Sequence, residues 1–74
     1  MPAIIYPVGI LKAQANGAIS LTVPDGISIR EGLKIINIPS ELVALVIVNG
    51  EAKDKDYILS NNDQVKIFAV VGGG

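Results

Sequence analysis

The stretch VPDGISIREGLKIINIP, from Val23 to Pro39, decides how the rest of the chain is read. Pro24-Asp25-Gly26 is turn chemistry and ends whatever extended run precedes it. Ser28 and Glu31 stand three apart, the spacing of a capping box in which hydroxyl and carboxylate each satisfy an orphan backbone amide. Ile29, Leu33 and Ile36 follow at i, i+4 and i+7, so they share one helical face. Asn37 suits a left-handed stop, and Pro39 blocks continuation. The helix so defined has about two turns and carries Gly32 in its interior, so it cannot stand alone in water. It must lie against a sheet.

Both flanks supply strands. Upstream, Asn16-Gly17 sits between VGILKA (8–13) and AISLTV (18–23) and tolerates the positive φ of a tight hairpin. Ile19, Leu21 and Val23 alternate onto one face of the second run. Pro7 falls inside the first strand, where a proline belongs at an edge or a bulge, so a local break is expected there. Downstream, LVALVIV (42–48) shows no polar alternation, the pattern of a strand buried on both faces. Asn49-Gly50 turns it into a short strand, EAK. DKDYILSNND (54–63) reads as an irregular crossing anchored by Ile58 and Leu59. A last strand, Gln64 to Val70, puts Val65, Ile67 and Ala69 on one face and Lys66, Phe68 and Val70 on the other. The order implies an α+β fold, a mixed sheet of four to five strands curled around one short helix. No internal repeat or linker interrupts it, so residues 1–74 read as a single domain with a flexible tail, 71–74.

The composition narrows the function. Seventy-four residues bury a small core and leave no room for a deep cleft beside it. Half the residues are apolar but only three are aromatic, Tyr6, Tyr57 and Phe68, so Ile, Leu and Val must build that core. Seven acids against six bases, mixed along the chain, make a poor footprint for nucleic acid. The longest apolar run, Leu42 to Val48, is far short of the ~20 residues a membrane helix needs. The N-terminus imitates a signal peptide but lacks its positive region. With cysteine also absent, a soluble cytoplasmic protein is expected.

Catalytic chemistry has few candidates. Without His or Cys there is no imidazole base, no thiolate nucleophile and no zinc set. Ser20, Ser28, Ser40 and Ser60 have no base to activate them. Asp54, Asp56 and Asp63 lack the spacing of a calcium loop and read as a solvated charged face. Gly26, Gly32 and Gly50 form no phosphate-binding frame. The chain is expected not to be an enzyme, to hold no metal and to bind no cofactor of its own.

What remains is the ending, AVVGGG (69–74). Glycine loses more freedom on ordering than other residues, so three in a row close a folded strand badly. Residues without side chains can, however, thread a narrow channel. At ~3.3–3.6 Å per extended residue, Gly72 to Gly74 reach roughly 10 Å and Val70 to Gly74 roughly 17 Å. A carboxylate delivered that far into a partner could be adenylated, which removes its charge and gives it a leaving group; sulfur attack would then leave a thiocarboxylate. A frayed tail or a cloning remnant would look the same.

The second half carries a more specific signal. Val48-Asn49-Gly50, Leu59, Asn62-Asp63-Gln64-Val65 and the closing Gly73-Gly74 occur in that order. VPDGISIREGL (23–33) precedes them. Together these segments resemble the ThiS/MoaD family of ubiquitin-like sulfur carriers, over most of the chain. The resemblance implies the family's β-grasp fold. It also implies that Gly74 carries the thiocarboxylate, activated by a ubiquitin-activating-type adenylyltransferase that uses ATP. The sulfur acceptor would be a molybdopterin synthase large subunit or a thiazole synthase. Gly72 and Gly73 would give the tail its slim approach, and Phe68 and Val70 are the candidates for partner docking. Asn61-Asn62-Asp63 departs from the commoner Asp-Gly-Asp, Gly72 adds a third glycine, and FAVV lacks the Pro-Pro of many molybdopterin-synthase small subunits. TGS domains, regulatory modules on the same fold, share the PDG and VNGE…ND.QV.I pattern. A non-catalytic TGS-like module and a ubiquitin-like protein modifier are therefore the alternatives.

Overall fold

The helix that Ser28 and Glu31 predict is present with its cap complete. In the computed structural model, which describes residues 2–69, this helix (α2) spans Ile29–Ile35. The Ser28 hydroxyl accepts the Glu31 N–H at 3.1 Å, and the Glu31 carboxylate accepts the Ser28 N–H at 3.1 Å. The next two amides of the first turn, Ile29 and Arg30, donate to the carbonyls of Tyr57 and Lys55. Ile29 and Leu33 are buried, Ile36 is half-buried, and Asn37 takes the left-handed stop at φ 61°.

Around this helix run five strands: β1 (Ala3–Val8), β2 (Leu21–Val23), β3 (Val43–Val48), β4 (Glu51–Lys53) and β5 (Gln64–Ala69). They form one sheet in the order β2-β1-β5-β3-β4. β1 and β5 are parallel, and the other three pairings are antiparallel. Ile5, Val23, Val46, Val65 and Ile67 turn inward to meet Ile29 and Leu33 of α2 and Leu59 of the crossing. This is the mixed sheet on one short helix that the order of motifs implies.

Gly32 is buried in that contact. A Cβ built there would meet Leu59 Cδ1 at 3.6 Å and Ile5 Cδ1 and Val23 Cγ2 at 3.7 Å, all ordinary van der Waals distances. There is room for a methyl group, and glycine in a helix interior costs about 0.8–1 kcal/mol relative to alanine. Gly32→Ala is therefore expected to stabilise the fold by about 0.5–1 kcal/mol, a rise of roughly 2–8 °C in a thermal melt. A lower midpoint would show that the core does not accept the methyl.

Five local expectations are corrected. The VGILKA run is not the first arm of a hairpin: β1 ends at Val8, Gly9 turns at φ 67°, and Leu11–Gln14 form a helical turn (α1). Leu11 and Ala15, four apart, are both buried, so a helical period outweighs the strand reading. Asn16 and Gly17 do take positive φ, 56° and 79°, but they close this turn rather than a two-residue hairpin. Ile19 accordingly lies outside β2 and is 75% exposed.

Pro7 causes no break. The Ile4 N–H donates toward β5, to the Asp63 carbonyl, so by alternation Ile5 and position 7 face β2. β2 pairs only as far as Ile5, so the missing donor falls where that ladder has ended. β3 is not buried on both faces. Val43, Val46 and Val48 are inside, while Leu45 is 44% exposed and Ile47 half-buried, because α2 covers only one side of the sheet. Leu42 belongs to a 3-10 turn, Ser40–Leu42, ahead of the strand. In the crossing, Leu59 is the anchor but Ile58 is 55% exposed. Ile58 contributes through its backbone, bridging Ser28.

Candidate functional site

The crossing meets the sheet at Asp63, which is not part of a solvated face. It is only 5% exposed and accepts three hydrogen bonds. Asn49 Nδ2 donates to its Oδ1 at 2.8 Å; the Tyr57 hydroxyl and the Ser60 N–H donate to its Oδ2 at 3.0 and 2.8 Å. Burial by itself would raise the Asp63 pKa. The hydrogen bonds from Ser60, Asn49 and Tyr57, with the Lys53 charge nearby, outweigh it and hold the carboxyl below the usual Asp range. Asn49 completes the joint: its Oδ1 accepts the Gln64 N–H at 2.9 Å, and its N–H donates to the Gln64 carbonyl at 2.9 Å. The sequence reading had Asn49 as turn former alone; the Asn49–Asp63 pair closes over fourteen residues and no local spacing reveals it.

This joint sets the register of β5, and register decides which side chains face out. A slip of one residue would exchange the two faces of the strand. As it stands, Val65 and Ile67 are buried, Lys66 is exposed and Phe68 is half-buried on the outer face. Phe68 lies between Val8 of β1 and Leu45 of β3 in direct register. One step back, Lys66 lies between Tyr6 and Ile47. The strand shifts register between Val43 and Leu45, beside Phe68. No helix covers this side of the sheet among the described residues. The outer face so formed is largely apolar, with Ile4, Tyr6, Val8, Ile47 and Phe68 half-buried and Leu45 exposed.

Of the residues singled out from the sequence, Phe68 is thus on the outer face as expected. Val70, Gly72, Gly73 and Gly74 lie outside the described residues. Two surface depressions are found among the described residues, one lined by Arg30, Lys34, Asn37 and Ser40, the other along the β3–β4 edge, where Leu45 also lines it. Among the described residues no three acidic side chains gather to hold a metal ion, and no helix is long and apolar enough to cross a membrane.

A sequence model of the ThiS family matches residues 8–74, nearly the whole chain. The chain belongs to the ThiS family. Members of this family are small sulfur carriers rather than catalysts. Two solved structures share the fold. SAMP1 from Haloferax volcanii superposes with a TM-score of 0.74 at 20% identity, covering 100% of both chains. A putative molybdopterin converting factor subunit 1 from Pyrococcus furiosus gives 0.71 at 18% identity, covering 96% of this chain and 99% of that one. These likenesses establish the ubiquitin-like β-grasp for this ThiS-family chain. No curated protein is similar enough in sequence to be matched.

Proposed function

We propose that this ThiS-family chain carries sulfur as a thiocarboxylate on Gly74, for molybdopterin or thiamin-thiazole biosynthesis. The observation that carries the reading is the family match, which runs from Val8, at the end of β1, through the closing glycines to residue 74. The absence of His and Cys supports it, since the chain has no thiolate on which to carry sulfur instead. In the first step a Gly74 carboxylate oxygen attacks the α-phosphorus of ATP and pyrophosphate leaves. In the second, hydrosulfide attacks the acyl carbon, AMP leaves with the oxygen, and a proton is released. A ubiquitin-activating-type adenylyltransferase binds the ATP; this chain supplies the acyl group and the surface by which it is held. Phe68, with Val70 beside the tail, docks that partner, while Gly72 and Gly73 thread its channel. The acceptor is a synthase, either the molybdopterin synthase large subunit or a thiazole synthase, in the cytoplasm.

Intact-mass spectrometry tests this reading. The chain incubated with ATP, hydrosulfide and its activating enzyme is expected to gain the mass of one oxygen-to-sulfur exchange, localised to Gly74 by fragmentation. An unchanged mass with an enzyme that adenylates other carriers would overturn it.

A further inference from the structure

Among the described strand residues, the outer face of the sheet holds a single charged one. Lys66 stands exposed on β5, the middle strand, with Tyr6 and Ile47 as its direct cross-strand neighbours. Val8, Leu45 and Phe68 extend the apolar surface toward the end of β5, and Ile4 extends it the other way. The ion pairs among the described residues, Arg30–Asp56 and Lys53–Glu51, do not involve Lys66. No carboxylate among the described residues pairs with its ammonium.

Covering that face removes the water. An ammonium left unpaired under an apolar partner carries a heavy desolvation cost, so a partner that covers Phe68 and Leu45 must also offer Lys66 an acceptor. A second copy of this chain cannot do so: paired through the same central strand, it would bring another Lys66 toward the first. The charge of this face thus favours a different protein as its occupant.

We propose that the surface of the activating enzyme that receives this sheet is apolar and carries a carboxylate opposite Lys66. The proposal rests on the sulfur-carrier reading above. Phe68 and Lys66 are two residues apart on one strand, about 7 Å, so an apolar pocket and a carboxylate at that separation fix the carrier's orientation as well as its position. The charge supplies alignment and encounter rate; the aromatic anchor supplies most of the hold.

Steady-state ATP–pyrophosphate exchange with the activating enzyme, titrating the carrier at about 0.01 M and about 1 M salt, tests whether Lys66 is covered, because screening lengths between exposed charges fall from about 30 to about 3 Å. Phe68→Ala is expected to raise KM about tenfold at both salts. Lys66→Glu sets two carboxylates face to face under the partner and is expected to raise KM at least about tenfold at both salts, because a buried pair is screened little, with kcat unchanged. Lys66→Arg should match the wild type, and circular dichroism should show all three variants folded. The proposal is overturned if Lys66→Glu keeps the wild-type KM at low salt. It is also overturned if its defect vanishes at high salt, which would place Lys66 on a solvated rim, or if Phe68→Ala has no effect. A wild-type chain that supports no exchange at all sinks the sulfur-carrier reading itself, an outcome distinct from these.

Discussion

Deleting Gly74 is expected to reduce adenylation by at least about a thousandfold while leaving the domain folded. The loss of one residue moves the terminal carboxylate back by about 3.5 Å. A misplacement of about 1 Å at a reacting centre already costs on the order of a hundredfold, and the new terminus cannot recover the distance without pulling the domain into the partner. The helix, the five strands and the Asp63 joint all lie within residues 2–69, so the fold keeps its described contacts. A terminal deletion of this kind changes stability by no more than about 0.5 kcal/mol. Pyrophosphate exchange and a thermal melt on the truncated chain measure the two halves of this expectation. Wild-type exchange by the truncated protein would remove Gly74 from the chemistry.

The second large effect is structural. Asp63→Ala leaves the Asn49 amide, the Tyr57 hydroxyl and the Ser60 N–H without their acceptor. Buried donors left unpaired cost about 1–3 kcal/mol each, but Asn49 and Ser60 are exposed enough for water to replace part of the loss. A destabilisation of about 2 kcal/mol is expected, a drop of roughly 8–16 °C in the melting midpoint of a domain this small. Asp63→Asn cannot rescue it fully. Whichever way the amide turns, its NH2 faces either the Asn49 Nδ2 donor or the donors from Ser60 and Tyr57.

Protonation of the wild-type carboxyl meets the same obstacle. Because the folded pKa of Asp63 lies below the unfolded value, its stabilisation is fully present above the ordinary Asp pKa and is lost as pH falls through the lowered one. Denaturant titrations from pH 7 downward should therefore show the gap between wild type and Asp63→Asn narrowing below about pH 4. A gap that stays constant into acid would mean that the charge of Asp63 plays no part.

How much of this was legible in the chain depends on the range over which each signal acts. The α2 cap, the Asn37 stop and the Asn49-Gly50 turn are local chemistry, and each is found where its residues placed it. The alternation of β5 was equally plain, so the outward position of Phe68 was within reach. The first connection was not. The run from Val8 to Ala13 is apolar enough for a strand, and only the burial of Leu11 and Ala15 together selects a helical turn. β3 misled for the opposite reason: an unbroken apolar run signals two covered faces, and here one of the two is left open. Asp63 was hidden because its partners are brought to it by the turn after β3 and by the crossing, and an aspartate in a run of polar residues gives no sign of burial.

The position of β5 bears on how the chain is born. It follows the other four described strands in the chain, yet it separates β2-β1 from β3-β4, and without it the sheet is two unconnected antiparallel pairs. A lone two-stranded hairpin is marginal in water. While residues 64–69 are still inside the ribosome, α2 has no continuous surface to bury against and the apolar runs of β1 and β3 stay exposed. Formation of the native state must then wait for the first and last strands to meet, a non-local step that is slow by nature and open to aggregation meanwhile. Chains truncated before Gln64 are expected to be protease-sensitive throughout, with protection gained in one stage when β5 is included.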